Sequence, residues 1–217
     1  MEKRRLAILI AVALSSISLI LLTIYRLPSL MNADNAQGGF MPPLYEAFMS
    51  QAREVSLEEL VRLMRSHGLE ILIPTYLPRG MTLTTIYYKC CPLVAMMVYS
   101  AKGEKDYRYA ELVIEISPSR LPPSEDYLLS LNQTSSDVYV LKTDRGYARI
   151  YPEALFGDEE RNRKFGPHVL AIFDYGGVNY LISILRPITL KEVEDLIKGL
   201  APPSPNPRVD SEPSSTS

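Results

Sequence analysis

The stretch near the N-terminus from Leu6 to Tyr25 constrains this chain more than any other. It reads LAILIAVALSSISLILLTIY, with no charge, proline or glycine. As an α-helix rising about 1.5 Å per residue, a run of about twenty residues covers the ~30 Å hydrocarbon layer of a bilayer. Within that layer each backbone N–H and C=O must be bonded inside the segment, which selects a helix. Ser15, Ser16, Ser18 and Thr23 fit such a helix, because a hydroxyl bonds back to a carbonyl one turn earlier. Lys3, Arg4 and Arg5 precede the run and only Arg26 follows closely. The positive-inside rule therefore puts the N-terminus in the cytoplasm and everything after Tyr25 outside. Tyr25 and Arg26 suit the outer interface.

A cleaved signal peptide is the competing reading. Its apolar region spans about 7–15 residues and ends in an A-x-A-like site. The run here is longer, and Ala33-Asp34-Asn35-Ala36 has the wrong spacing. The expectation is a retained signal anchor, a single-pass protein of the cell membrane, with residues 1–5 cytoplasmic and 6–25 in the membrane. Residues 26–42 read as a flexible stalk, rich in proline, glycine and asparagine. Residues 43–200 form one extracytoplasmic domain, and 201–217 a Pro- and Ser-rich disordered tail.

Charge narrows the partners. Of 23 Lys and Arg and 25 Asp and Glu, four and one fall in the first 26 residues; the remainder carries 19 and 24, a net charge of −5. Nucleic-acid binding calls for a cationic surface and is disfavoured.

Periodicity then gives the architecture. Leu44 to Arg53 reads as helical. Ser56 caps a second helix, and Glu59 three residues on predicts a capping box. Leu57, Leu60, Val61 and Met64 form its apolar stripe, and Gly68 its left-handed stop. The period changes to two over Met81–Lys89, Leu93–Ala101 and Tyr109–Ser117, which predicts strands. Leu112, Ile114 and Ile116 share one face; Glu111, Val113 and Glu115 share the other, which predicts a face open to water. Pro122 to Leu131 reads as a short helix. Asp137–Lys142 and Tyr147–Tyr151 read as strands, and Phe156–Pro167 as an exposed polar loop. Val169–Asp174 and Val178–Leu185 make a hairpin about Gly176-Gly177, since paired glycines permit positive φ. Thr189 and Glu192 open a final helix with a capping box, and Gly199 and Pro202 close it. The predicted class is α+β: N-terminal helices, a largely antiparallel sheet of about six to seven strands and a C-terminal capping helix.

Two stretches carry a resemblance. Ile73-Pro74-Thr75-Tyr76-Leu77-Pro78-Arg79-Gly80-Met81 resembles the opening of a bacterial and archaeal extracytoplasmic domain of unknown function found in membrane-anchored, anti-sigma-factor-like proteins. The stretch Leu170 to Leu200 resembles its ending, a hairpin followed by a capped helix. The resemblance implies a sheet-and-helix fold related in shape to lipoprotein-carrier-like domains. It implies no catalytic residues. The residues before the anchor are too few to form a cytoplasmic sigma-binding domain, so anti-sigma activity is not expected.

Few residues offer chemistry. His67 and His168 are the only histidines. Neither has a Cys, His or acidic neighbour at metal-ligand spacing. Asp158-Glu159-Glu160, followed by Arg161, Arg163 and Lys164, reads as a solvated loop. No nucleophile elbow or phosphate loop occurs. No catalytic residue, metal or cofactor is assigned. Tyr87, Tyr88, Tyr99, Tyr107, Tyr109, Tyr139, Tyr147 and Tyr151 suit sheet packing, and aromatic surfaces also serve partners.

Cys90-Cys91 is the most unusual local feature. Adjacent Cα atoms lie about 3.8 Å apart, below the ~4.4–6.8 Å of ordinary disulfides. A bond between them would be strained and easily reduced. On an extended strand they would point to opposite faces, one into the core. Free thiols, a vicinal disulfide and an intermolecular bridge all stay open. Asn132-Gln133-Thr134 is a glycosylation sequon, relevant because the topology exports it.

Together these features lead to a non-enzymatic binding or sensing domain. It would offer a sheet surface, or a cleft beneath its helices, to an envelope protein, a lipid or a glycan. A structural envelope spacer is the alternative, and a hydrolase with a dispersed site is a third.

Overall fold

The computed structural model describes residues 48–119, 122–135, 137–155 and 159–203, all within the unit Phe40–Ser217. The expected membrane run (6–25), the expected stalk (26–42) and the expected tail beyond residue 203 lie outside the described residues. Among those described, no helix is long and apolar enough to cross a membrane.

The domain is α+β, built on one eight-stranded antiparallel sheet in the order β1-β3-β4-β5-β9-β8-β7-β6. Its strands are β1 (Arg53–Glu54), β3 (Thr82–Lys89), β4 (Val94–Ser100), β5 (Leu112–Pro118), β6 (Tyr139–Thr143), β7 (Gly146–Ala154), β8 (His168–Tyr175) and β9 (Val178–Ile184). Two meanders, β3-β4-β5 and β6-β7-β8-β9, meet where β5 pairs with β9 from Leu112↔Ile184 to Pro118↔Val178. A small ribbon pairs β2 (Ile73–Pro74) with β10 (Leu200–Ala201). The helices are α1 (Leu57–Ser66), α2 (Glu125–Thr134), α3 (Glu159–Phe165) and α4 (Leu190–Lys198).

The local signals act as physical chemistry requires. Ser56 Oγ accepts from Glu59 N at 3.1 Å and caps α1. Only this arm of the predicted capping box forms. The Glu59 carboxylate turns instead to Arg53, 2.8 Å away, because that guanidinium is brought close by β1. Leu69 N bonds Met64 O and Gly68 N bonds Arg65 O, a Schellman ending with Gly68 at φ +73°. At α4 both arms form: Glu192 N to Thr189 Oγ1 at 3.2 Å and Thr189 N to Glu192 Oε2 at 2.8 Å.

One sheet face holds the main core. Met97 and Tyr99 on β4, Leu112, Ile114 and Ile116 on β5, Phe173 on β8, and Tyr180 and Ile182 on β9 pack with Leu60 and Met64 of α1 and with Val193, Leu196 and Ile197 of α4. Burial of each large apolar side chain supplies about 1.5–3 kcal/mol. Tyr180 is fully buried, and its hydroxyl oxygen accepts from Leu72 N at 2.7 Å.

Several expectations are corrected. The sheet has eight strands, because Arg53 and Glu54 pair with Tyr88 and Tyr87 rather than extend a helix from Leu44. Of that expected helix, Phe48 and Met49 are helical, and residues 44–47 lie outside the described ones. The third strand starts at Leu112 instead of Tyr109. Asp106 O accepts from Tyr109 N and Ala110 N, which holds that stretch in a turn. Ala201 pairs with Ile73, so ordered structure continues past residue 200.

Two further corrections concern the second sheet face. The polar segment after Phe156 includes α3, and its Arg161 is only 3% exposed. The face bearing Glu111, Val113 and Glu115 is not simply open to water. A second apolar cluster of Phe48, Met96, Val98, Tyr107, Ala110 and Val113 covers part of it. Arg161 Nη1 ties that cover together by donating to Tyr107 O at 2.6 Å and Ala110 O at 3.1 Å.

Candidate functional site

At one end of the sheet the strands stop and their connections diverge, leaving an open groove of about 730 Å³. This is within the ~300–1,000 Å³ typical of small-molecule sites. Four cationic side chains line it, Arg79, Lys102, Lys164 and Arg186, with two carboxylates, Glu104 and Glu111. Met81, Tyr109, Phe165, Leu185 and Ile188 supply apolar wall.

Each contributor reaches the groove for a local reason. Arg79 sits in the 3₁₀ turn Pro78–Gly80 with φ +59°. A β-bulge in β3 between Leu83 and Thr85 leaves Thr84 out of register. The Thr84 hydroxyl lies 3.0 Å from Val98 O and 2.7 Å from Glu104 O, which draws the 101–106 turn towards the sheet. Gly103 in that turn has φ +76°. Lys164 and Phe165 end α3, where Gly166 N bonds Asn162 O at 2.8 Å. Lys164 Nζ stands 4.0 Å from the centroid of the Tyr109 ring, and Phe165 meets that ring edge-on at 6.5 Å.

The cations are not equally engaged. Arg79 pairs with Glu192 at 3.3 Å. Arg186 pairs with Glu153 at 3.2 Å and donates to Pro152 O at 2.6 Å. Lys102 has no ion pair among the described residues, and Lys164 has only ring contacts there. Glu104 Oε1 is taken by Asp106 N at 2.9 Å. Glu111 Oε2 is buried and has no hydrogen-bond partner among the described residues. Among the described residues, the Lys102 ammonium is without an ion pair and the Lys164 ammonium is held only by aromatic faces, both beside the apolar wall. Glu111 Oε2, being buried, calls for a donor rather than an anion.

Ionisable groups on the second sheet face are perturbed by burial. His168 starts β8 with no exposed surface. Burial first, and the Arg161 charge second, push its imidazole down to about 4; the Gly166 backbone opposes them weakly. No hydrogen bond of good geometry reaches either ring nitrogen among the described residues. Glu115 stands opposite Met96 and Leu181. Burial pushes its carboxyl up to about 7, although a little of the residue still meets solvent. Thr85 and Ser183 are also buried there, and their hydroxyls have no described partner. His168 does not line the groove, so the structure does not join the histidine to Glu111 in one cleft.

The remaining candidates are dispersed. His67 is the exposed C-cap of α1. Asn132 falls in the last turn of α2, and its side-chain placement lies outside the described residues. Asp158 also lies outside them, while Glu159 and Glu160 open α3. Among the described residues, no group of three His, Cys, Asp or Glu side chains converges as a metal site. Tyr88, Tyr99 and Tyr107 are buried, Tyr139 is exposed on the outermost strand β6, and Tyr109 reaches the groove.

Cys90 and Cys91 are both exposed, in the turn between β3 and β4. The expectation of one thiol packed in the core therefore fails, because the strand ends at Lys89 and its alternation ends with it. Cys91 adopts φ +67°, and the two sulfurs lie 3.1 Å apart.

The groove was not legible in the sequence. Its cations come from four separate segments, and no spacing rule joins Arg79, Lys102, Lys164 and Arg186. The one available signal was Phe165-Gly166, an aromatic and a left-handed stop that could have marked the end of α3.

The class these features define is an α+β domain with an eight-stranded antiparallel sheet, a few short helices and a groove of mixed charge. No family model, no curated protein and no solved structure matches the chain.

Proposed function

We propose that this is the extracytoplasmic, non-enzymatic binding domain of a single-pass membrane protein, and that its groove takes an anionic amphiphile of the cell envelope. A lipid headgroup with part of its chains and an acidic glycan share that chemistry. The observation that carries the reading is the groove itself. Lys102 and Lys164 stand over an apolar wall with no carboxylate partner among the described residues. The Leu6–Tyr25 run supports a location beside the membrane. The resemblance of Ile73–Met81 and Leu170–Leu200 to extracytoplasmic domains of membrane-anchored proteins points the same way.

The filled core favours a second reading, a structural spacer. The space between sheet and helices, which a lipid carrier would leave open, holds Leu60, Met64, Leu196 and Tyr180, all fully buried.

The test uses the full chain in detergent and native mass spectrometry. The probes are a short-chain phosphatidylglycerol and a uronic-acid oligosaccharide, each beside a neutral counterpart. The expected outcome is retention of one anionic probe, lost in the double variant Lys102→Glu/Lys164→Glu. Equal retention by that variant, or no retention of any probe, overturns the reading, and the second result favours the spacer.

A further inference from the structure

The geometry points to Cys90-Cys91 as a reversible thiol–disulfide site, at which small external disulfides are reduced while the two thiols close on each other. This goes beyond the groove and does not depend on its ligand. Three observations carry it. Both side chains are exposed, so a small reagent reaches either sulfur. The left-handed backbone at Cys91, φ +67°, breaks strand alternation and brings both sulfurs together. The sulfurs are 3.1 Å apart, close enough for each to act on whatever binds the other.

The chemistry balances in two exchanges. One cysteine thiolate attacks a sulfur of the external disulfide, forms a mixed disulfide and expels the first small thiolate. The neighbouring cysteine, once deprotonated, attacks the protein sulfur of that mixed disulfide and expels the second. The protein loses two protons and two electrons, and the reagent gains them as two thiols. Exchange of this kind proceeds through the thiolate. Contact with Cys90 holds the Cys91 thiol above its ordinary range, first through their hydrogen bond and then through charge.

Proximity decides against the intermolecular bridge. A resolving thiol already in contact acts at an effective concentration far above that of a second protein molecule. Pairing within the chain therefore outruns dimer formation at ordinary protein concentrations.

The test uses the full chain in detergent, reduced, freed of reductant and treated with oxidised glutathione. Three results are expected. Intact mass falls by two hydrogens with no glutathione retained. The chain runs as a monomer on a non-reducing gel. Dithiothreitol then restores both thiols. Cys90→Ser and Cys91→Ser should each retain one glutathione, because the first exchange remains and the second is lost. Wild-type chain carrying two glutathiones, a covalent dimer, or thiols that stay unreacted would each overturn the proposal.

Discussion

Tyr180 shows how one polar atom is fitted into an apolar interior. Its ring lies among the fully buried side chains of the main core, tilted against Phe173 at 6.0 Å. Its oxygen serves Leu72 N, at the start of the segment that leads into β2. Burial raises the phenol to about 12, so the hydroxyl stays protonated throughout the physiological range. Tyr180→Phe keeps the ring and strands the Leu72 N–H. An unsatisfied buried donor costs about 1–3 kcal/mol. We expect a loss of that size in urea unfolding, with faster amide exchange at Leu72 and little change in α2. An unchanged midpoint would show that Leu72 N finds water instead. The hairpin reading placed Tyr180 on a strand from sequence alone. Its bond to a backbone atom 108 residues away was not legible, because no local pattern records which distant N–H lacks a partner.

At the scale of elements, legibility followed locality. The helix signals around Ser56, Gly68, Thr189 and Glu192 are contained within a few residues, and α1 and α4 form where they predict. The hairpin at Gly176-Gly177 is equally local, with φ +57° and +78°. α3 was missed because its stability is not local. Its visible charges resemble a solvated loop, whereas Arg161 is buried by carbonyls from a turn more than fifty residues earlier. Arg161→Met tests that account. The substitution keeps an apolar stem and removes the donors to Tyr107 O and Ala110 O. Loss of hydrogen bonds to a charged group costs about 1.5–3 kcal/mol. Amide exchange should quicken in α3 and in the Asp106–Ala110 turn and stay slow in α1. Uniform quickening would instead mark a global loss, and no change would mean that α3 docks without its arginine. Because Lys164 and Phe165 belong to α3, the variant should also weaken any ligand held in the groove.

At the scale of the whole molecule, the second sheet face contributes two opposed groups to the pH dependence of folding. His168 titrates near 6.5 when unfolded and near 4 when folded. The native state therefore disfavours its proton. That contribution is fully present above pH 6.5 and is lost as pH falls towards 4. Glu115 runs the other way, from 4.5 unfolded to about 7 folded. Its contribution is present below pH 4.5 and is lost as pH rises through 7. Each is worth at most about 3 kcal/mol, taking 1.36 kcal/mol per pKa unit. Between pH 4.5 and 6.5 the slopes nearly cancel, so wild-type stability should be almost flat there and decline towards pH 8. Glu115→Gln removes one slope. Its stability at pH 8 should exceed wild type by about 2–3 kcal/mol, and it should weaken steadily below pH 6.5. His168→Leu exposes the other slope, with stability falling from pH 4.5 to 7. Urea midpoints of the full chain at pH 5, 6.5 and 8 measure all three proteins. Parallel curves for wild type and Glu115→Gln would show that the carboxyl is hydrated rather than buried. In that case, while the rest of the second face stays covered, the part around Glu115 is open to water, as the alternation of Glu111, Val113 and Glu115 first suggested. It would then compete with the groove as the face presented to a partner.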